Sequence, residues 1–159
     1  MPSWRIHDKW SKRLGVREEI SKEINELIDF PYKWLMKKHG KEIEMENKII
    51  IHTSNPCLAL ISLFKLKHLG IKIGHDIGRK RKWQAELLFK CVYYHYGEEG
   101  VKAAILHHAL DYIERVSFEK IETLSRIREK LEGTNFDYIL DEVLRFIDAN
   151  WIEILKDLS

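Results

Sequence analysis

Apolar residues recur along this chain at spacings of three and four, the period of an amphipathic α-helix, in nearly every segment. Ser3 caps a first predicted helix that runs to Leu14 and stops at Gly15, with Trp4, Ile6, Trp10 and Leu14 only approximately on one face. The second, about Val16 to Phe30, places Ile20, Ile24, Leu27 and Ile28 on a clean stripe, and Pro31 ends it. Tyr32 to His39 adds a turn or two before Gly40. Lys41 to Thr53 contains Ile49-Ile50-Ile51, a β-branched run that alone reads as a strand. No second strong strand exists to pair with it, so context assigns helix. Ser54-Asn55-Pro56 makes a break and an N-cap ahead of an apolar helix from Cys57 to His68, and a loop from Ile71 to Gly78 follows. Arg79 to Tyr96 is predicted helical, with Trp83, Leu87, Leu88, Cys91 and Val92 as its inner face. Gly97-Glu98-Glu99-Gly100 then turns the chain into Val101 to Val116. A helix opened by Ser117 or Phe118 runs to Glu132 before Gly133. The last spans Asn135 to Asp157, with Phe136, Ile139, Leu140, Val143, Leu144, Ile147, Trp151 and Leu155 on one stripe. The expectation is one all-α domain over residues 1–159, compact, multi-helical and ending in a helix pair.

The composition agrees with that class. Apolar residues form 45% and charged residues 33%, a balance that excludes a disordered chain. No apolar run reaches the roughly 18 residues of a membrane span, and MPSWRIHDKW has no apolar core of a secretion signal. A cytoplasmic protein without a membrane partner is expected. The single glutamine and the abundance of Ile, Lys and Glu lean toward a thermophile. Cys57 and Cys91, both in apolar surroundings, read as buried thiols rather than a disulfide.

The net charge of +2 conceals an asymmetry. Residues 1–116 carry 21 Lys and Arg against 15 Asp and Glu, whereas residues 117–159 carry 6 against 10. All eight histidines lie in the first part. A histidine-rich basic body therefore precedes an acidic helical region, and chemistry is expected in the body.

Two stretches concentrate candidate chemistry. In AILHHALDYI, Asp111 is an i,i+4 neighbour of His107 and an i,i+3 neighbour of His108, so it shares a face with either histidine but not equally with both. Imidazole and carboxylate are ligands for divalent transition metals. The surrounding Ala and Leu residues make an unpartnered carboxylate expensive, which a cation or a second histidine would relieve. In IGHDIGRKRKW, His75 and Asp76 lie on a glycine-bounded turn ahead of Arg79-Lys80-Arg81-Lys82. Locally, Asp76 as a helix cap beside an exposed His75 is an adequate reading. The basic run is equally well read as a solvated helix start or as a phosphate contact. Trp83, Tyr93, Tyr94 and Tyr96 would be available to stack on bases, though core packing is expected for the tyrosines and for Trp4, Trp10, Trp34, Trp83 and Trp151.

His75-Asp76-Ile77-Gly78 resembles the HDIG doublet of the HD superfamily of metal-dependent phosphohydrolases. That family is all-α, and its ordered pattern is a His, an adjacent His-Asp and a later Asp. The resemblance implies an HD-like core with His52 as the first His, His75 and Asp76 as the doublet and Asp111 as the last ligand. His107, His108 and His95 would be additional histidines. It further implies one or two divalent ions (Mn, Fe, Co, Zn or Mg), catalysis at Asp76, and Arg79 or Lys80 neutralising a phosphate. His7-Asp8 is a second His-Asp doublet, and His7, His39 and His95 compete with His52 to complete the site.

The expected function is hydrolysis of a phosphate ester in a phosphorylated small molecule or nucleotide. One alternative is nucleic-acid binding through residues 79–83. Another is a non-catalytic interaction protein with a degenerate HD-like site and a homodimer through its C-terminal helices.

Overall fold

A computed structural model describes residues 2–44, 56–57, 60, 82–116 and 119–159. Seven helices stand among them: α1 (Trp4–Arg13), α2 (Glu18–Asp29), α3 (Pro31–Glu44), α4 (Lys82–Arg115), α5 (Lys120–Leu131), α6 (Asp137–Ala149) and α7 (Trp151–Leu158). The protein is an all-α, single compact domain, with no strand among the described residues. No described helix is long and apolar enough to cross a membrane.

Helix α4 is the axis of the molecule: α1, α2, α5, α6 and α7 all pack on it. From Gly100 to Ile113 every residue is buried except the half-buried Lys102 and His108. A helix apolar on all sides must lie inside a core, and a polar group within such a stretch needs a partner there. His107 and Asp111 are the two polar side chains that α4 buries in this way.

Several predicted boundaries shift for physical reasons. Pro31 does not merely end α2. It stands first in α3, where its missing N–H and fixed φ suit a helix start. Gly40 does not stop α3; the helix continues to Glu44 across a non-helical His39 at φ −133°, ψ 23°. The turn predicted at residues 97–100 contracts to one residue, Gly97, at φ 65°, ψ −155°, and kinks α4. The final helix is two, because the chain breaks at Asn150. That break rotates the stripe, so that Ile154 is buried and Leu155 is 41% exposed.

The acidic C-terminal region has a partner within the chain. Lys9 and the indole N–H of Trp10 on α1 both donate to Asp157 on α7. Arg13 bonds Glu153 and Asn150. Trp10 itself is fully buried. This clasp holds the basic first helix, and with it His7, against the body of the fold.

Candidate metal centre

Three helices meet around one polar cluster. Helix α1 supplies His7 and Asp8, and α4 supplies His107, His108 and Asp111. Helix α2 supplies Ser21, Asn25 and Asp29, which recur every fourth residue beside its apolar stripe. His7 and His107 are each 2% exposed and Asp111 is 6% exposed.

The hydrogen bonds fix which nitrogen of His107 carries its proton. One oxygen of Asp8 accepts from Ser21 Oγ at 2.6 Å and from Asn25 Nδ2 at 2.9 Å. A carboxylate only accepts, so the amide of Asn25 must turn its NH2 toward Asp8 and its oxygen away. That oxygen lies 2.9 Å from His107 Nδ1. An amide oxygen also only accepts, so Nδ1 is the protonated nitrogen. In the neutral ring the lone pair then sits on Nε2. There it faces Asp29 Oδ1 at 3.4 Å and Asp111 Oδ2 at 3.5 Å. Among the described residues no group donates a hydrogen bond to the buried His107 Nε2, and Asp29 is the carboxylate that pulls on it most strongly. A lone pair directed at two carboxylates is stable when a cation stands between them.

His7 completes the group. Its ring stacks on that of His107, with centroids 3.8 Å apart and planes within 5°. His7 Nε2 approaches Asp111 Oδ1 at 3.2 Å, close enough for His7 to stabilise the carboxylate. Ligand atoms of His7, His107 and Asp111 all lie within 4.8 Å of one another. Ligands bonded at about 2.0–2.1 Å in a tetrahedral site stand about 3.3 Å apart, close to the separations at Asp111. Asp29 faces the same point, its other oxygen accepting from the Trp4 indole at 2.6 Å.

Burial and neighbouring groups shift two of the three candidate ligands, His107 and Asp111. Burial holds His107 below the ordinary imidazole value and neighbouring His7 adds to this, outweighing the pull of Asp29 and Asp111. Burial pushes the Asp111 carboxyl up, but His7, His107 and His108 together bring it below the usual aspartate value. His107 is therefore favoured as a neutral imidazole and Asp111 as an ionised carboxylate.

Of the two neighbours of Asp111, His107 comes to 3.5 Å of its carboxylate, and His108 also acts on its charge. His108 is half-buried, its ring centroid 6.1 Å from that of His107. The expected ligands His52, His75 and Asp76, and the cationic Arg79 and Lys80, lie outside the described residues. Among the described residues His7, one of several competitors in the sequence, joins His107 at Asp111. His39 and His95 instead pair with each other elsewhere, Nε2 to Nε2 at 2.9 Å. Ser21, Asn25 and Asp29 escaped the sequence reading, although their four-residue repeat along a buried face was visible.

Other expectations are overturned. Cys57 and Cys91 form a disulfide and are not free thiols, because the fold brings their Cα atoms to 4.5 Å across 34 residues. Tyr93 and Tyr94 are 47% and 57% exposed and line a groove with Lys90, Pro56 and Phe136, outside the core expected for them. Trp4 is 38% exposed, held at the surface by its bond to Asp29.

Comparison with known proteins finds no matching family model, curated protein or solved structure.

Proposed function

We propose that this chain is a metal-dependent hydrolase of phosphate esters, with a divalent transition metal held by His7, His107 and Asp111. The observation that carries the reading is the Asp8–Asn25–His107 relay. It fixes the tautomer of His107 so that a lone pair faces two carboxylates. Metal-bound histidines characteristically donate their other N–H to an oxygen acceptor, the role Asn25 plays here. When bound, a divalent ion lowers the pKa of coordinated water and withdraws charge from a phosphoryl oxygen. The protein's own contribution is to fix the tautomer of His107, keep that buried ring from taking up a proton and bring Asp29 to the same point, where its carboxylate would accept a proton. His52, His75 and Asp76 extend the ligand set if the HD-like pattern holds. Arg79 and Lys80 are the proposed phosphate contacts.

The burial of all three ligands favours a second reading, in which the ion is structural and the chain acts by binding. Metal content, activity and stability separate the two. The full chain is loaded with Mn, Co or Zn, desalted and assayed by elemental analysis and by hydrolysis of an aryl phosphate monoester and diester, with and without chelator. Bound metal with chelator-sensitive turnover, both lost in Asp111→Asn and reduced in Asp76→Ala, supports the hydrolase. Bound metal that raises the Tm without turnover indicates the structural site. Metal content unchanged in Asp111→Asn rejects both. Binding to DNA or RNA that falls steeply with salt and ignores chelators would instead favour a nucleic-acid-binding protein.

A further inference from the structure

A second set of ligating side chains lies on α3, on the helical turn at Pro56–Cys57 and on the first half of α4. His39 is 4% exposed, and Cys57 and Cys91 are fully buried. Cys91 precedes His95 by four residues, so both project from one face of α4. His39 sits at the non-helical position of α3, where the kink turns its imidazole onto His95. Ligand atoms of His39, Cys57 and His95 lie within 4.8 Å of one another, and Cys91 is joined to Cys57.

Contact of two imidazoles through Nε2 atoms 2.9 Å apart requires one ring to donate and the other to accept. The separation is near the roughly 3.3 Å between two nitrogens on one tetrahedral ion. Burial lowers the proton affinity of His95, and His39 and Lys38 lower it further against the opposing effect of Glu23. The Trp34 ring packs on both imidazoles, and Trp34 and Tyr96 donate to Glu23 on α2, which also meets Lys37 and Lys38. With the disulfide reduced, Cys57 and the adjoining Cys91 would add two thiolates to the two imidazoles, a soft donor set of the kind tetrahedral zinc takes.

We propose that His39, Cys57, Cys91 and His95 form a redox-gated zinc site, closed by the Cys57–Cys91 disulfide and opened to a Cys2His2 zinc ion on reduction. A dithiol reductant supplies two electrons and two protons, becoming a disulfide itself. The Cys57–Cys91 bond breaks and two thiols remain. Zinc then displaces both thiol protons to solvent. The imidazole that donated through Nε2 shifts its proton to Nδ1, so that both rings present lone pairs to the ion. This site is independent of the one at Asp111.

The test uses the full chain, air-oxidised or reduced with a dithiol and desalted anaerobically, with zinc and cobalt(II) as probes. Reduced protein should bind one zinc equivalent more than oxidised protein, and cobalt should give a thiolate-to-metal charge-transfer band only after reduction. His95→Ala and Cys91→Ser should lose that band, while Asp111→Asn keeps it. If either substitution prevents folding, the wild-type comparison alone still decides. Equal zinc uptake in both redox states overturns the proposal. So does the absence of a thiolate–cobalt band in reduced, helical protein, or helicity lost on reduction that zinc does not restore.

Discussion

The side-chain oxygen of Asn25 lies 2.9 Å from Nδ1 of His107, and Asp8 dictates that the oxygen, not the amide nitrogen, faces the ring. This contact should be worth more to metal affinity than to folding. Asn25→Ala leaves His7, His107 and Asp111 in place but frees the His107 ring to rotate and change tautomer. We expect metal affinity to fall about 10–100-fold, measured by competition with a chromophoric chelator. In the wild-type protein, nitrogen NMR should show the His107 proton on Nδ1. A proton on Nε2 in the metal-free chain would contradict the relay.

Asp111 is the point on which both histidines converge, at 3.2 Å and 3.5 Å. Asp111→Asn keeps its shape and removes the charge. Bound metal should drop to background while the far-ultraviolet helical signal persists. Elemental analysis beside circular dichroism reads both.

Acid should weaken the fold, beginning in the histidine range. His107 binds its proton less readily when folded than in the unfolded chain, where imidazoles titrate near about 6.5. Below that value the unfolded chain holds more protons, so stability falls as pH drops. Asp111, also held below its ordinary value, contributes stability above about pH 3.9 that is lost as pH falls through its folded value. His7, His108, Asp8 and Asp29 surround the pair. His95, lowered as well, adds to the histidine-range loss. Urea midpoints should therefore decline from pH 7 to pH 5, and less steeply in His107→Gln. Identical slopes would show that His107 is not responsible.

Trp10 is fully buried and bonds Asp157 through its indole N–H. Trp10→Ala should cost about 3–5 kcal/mol by the usual loss for a buried aromatic, read from denaturant titration. Because α1 also carries His7, metal affinity should fall with it.

Gly97 stands at φ 65°, ψ −155°, backbone that side-chain-bearing residues rarely adopt, though a Cβ there would meet no atom within 4 Å. The cost of Gly97→Ala is thus conformational, about 1–3 kcal/mol. Gly100→Ala fails differently, since its Cβ would lie 2.6 Å from Tyr96 Cβ and 2.8 Å from Val92 Cγ1. Thermal denaturation of both variants should rank Gly100→Ala as the more damaging.

The helical class was legible because apolar spacing is a local signal. So was the pairing of Asp111 with a neighbouring histidine, which needs only the pitch of one helix. His7 was not. It lies 100 residues from His107, and a second His-Asp doublet looked like coincidence until the fold set it on Asp111. The Cys57–Cys91 bond is equally non-local, and apolar neighbours describe a buried thiol as well as a buried disulfide. Asn25 reads as an ordinary polar residue until Ser21 and Asp29, four residues to either side, are seen on the same buried face.

The clasp between α1 and α7 joins Lys9 to Asp157 across 148 residues. It cannot close until residue 157 has been synthesised, so on the ribosome α1 must wait for α7 before it is locked down. The contact of His7 with Asp111 is thus secured only once α7 is in place. A nascent chain stalled before α7 should leave α1, and His7 with it, less firmly held than in the chain that includes α7.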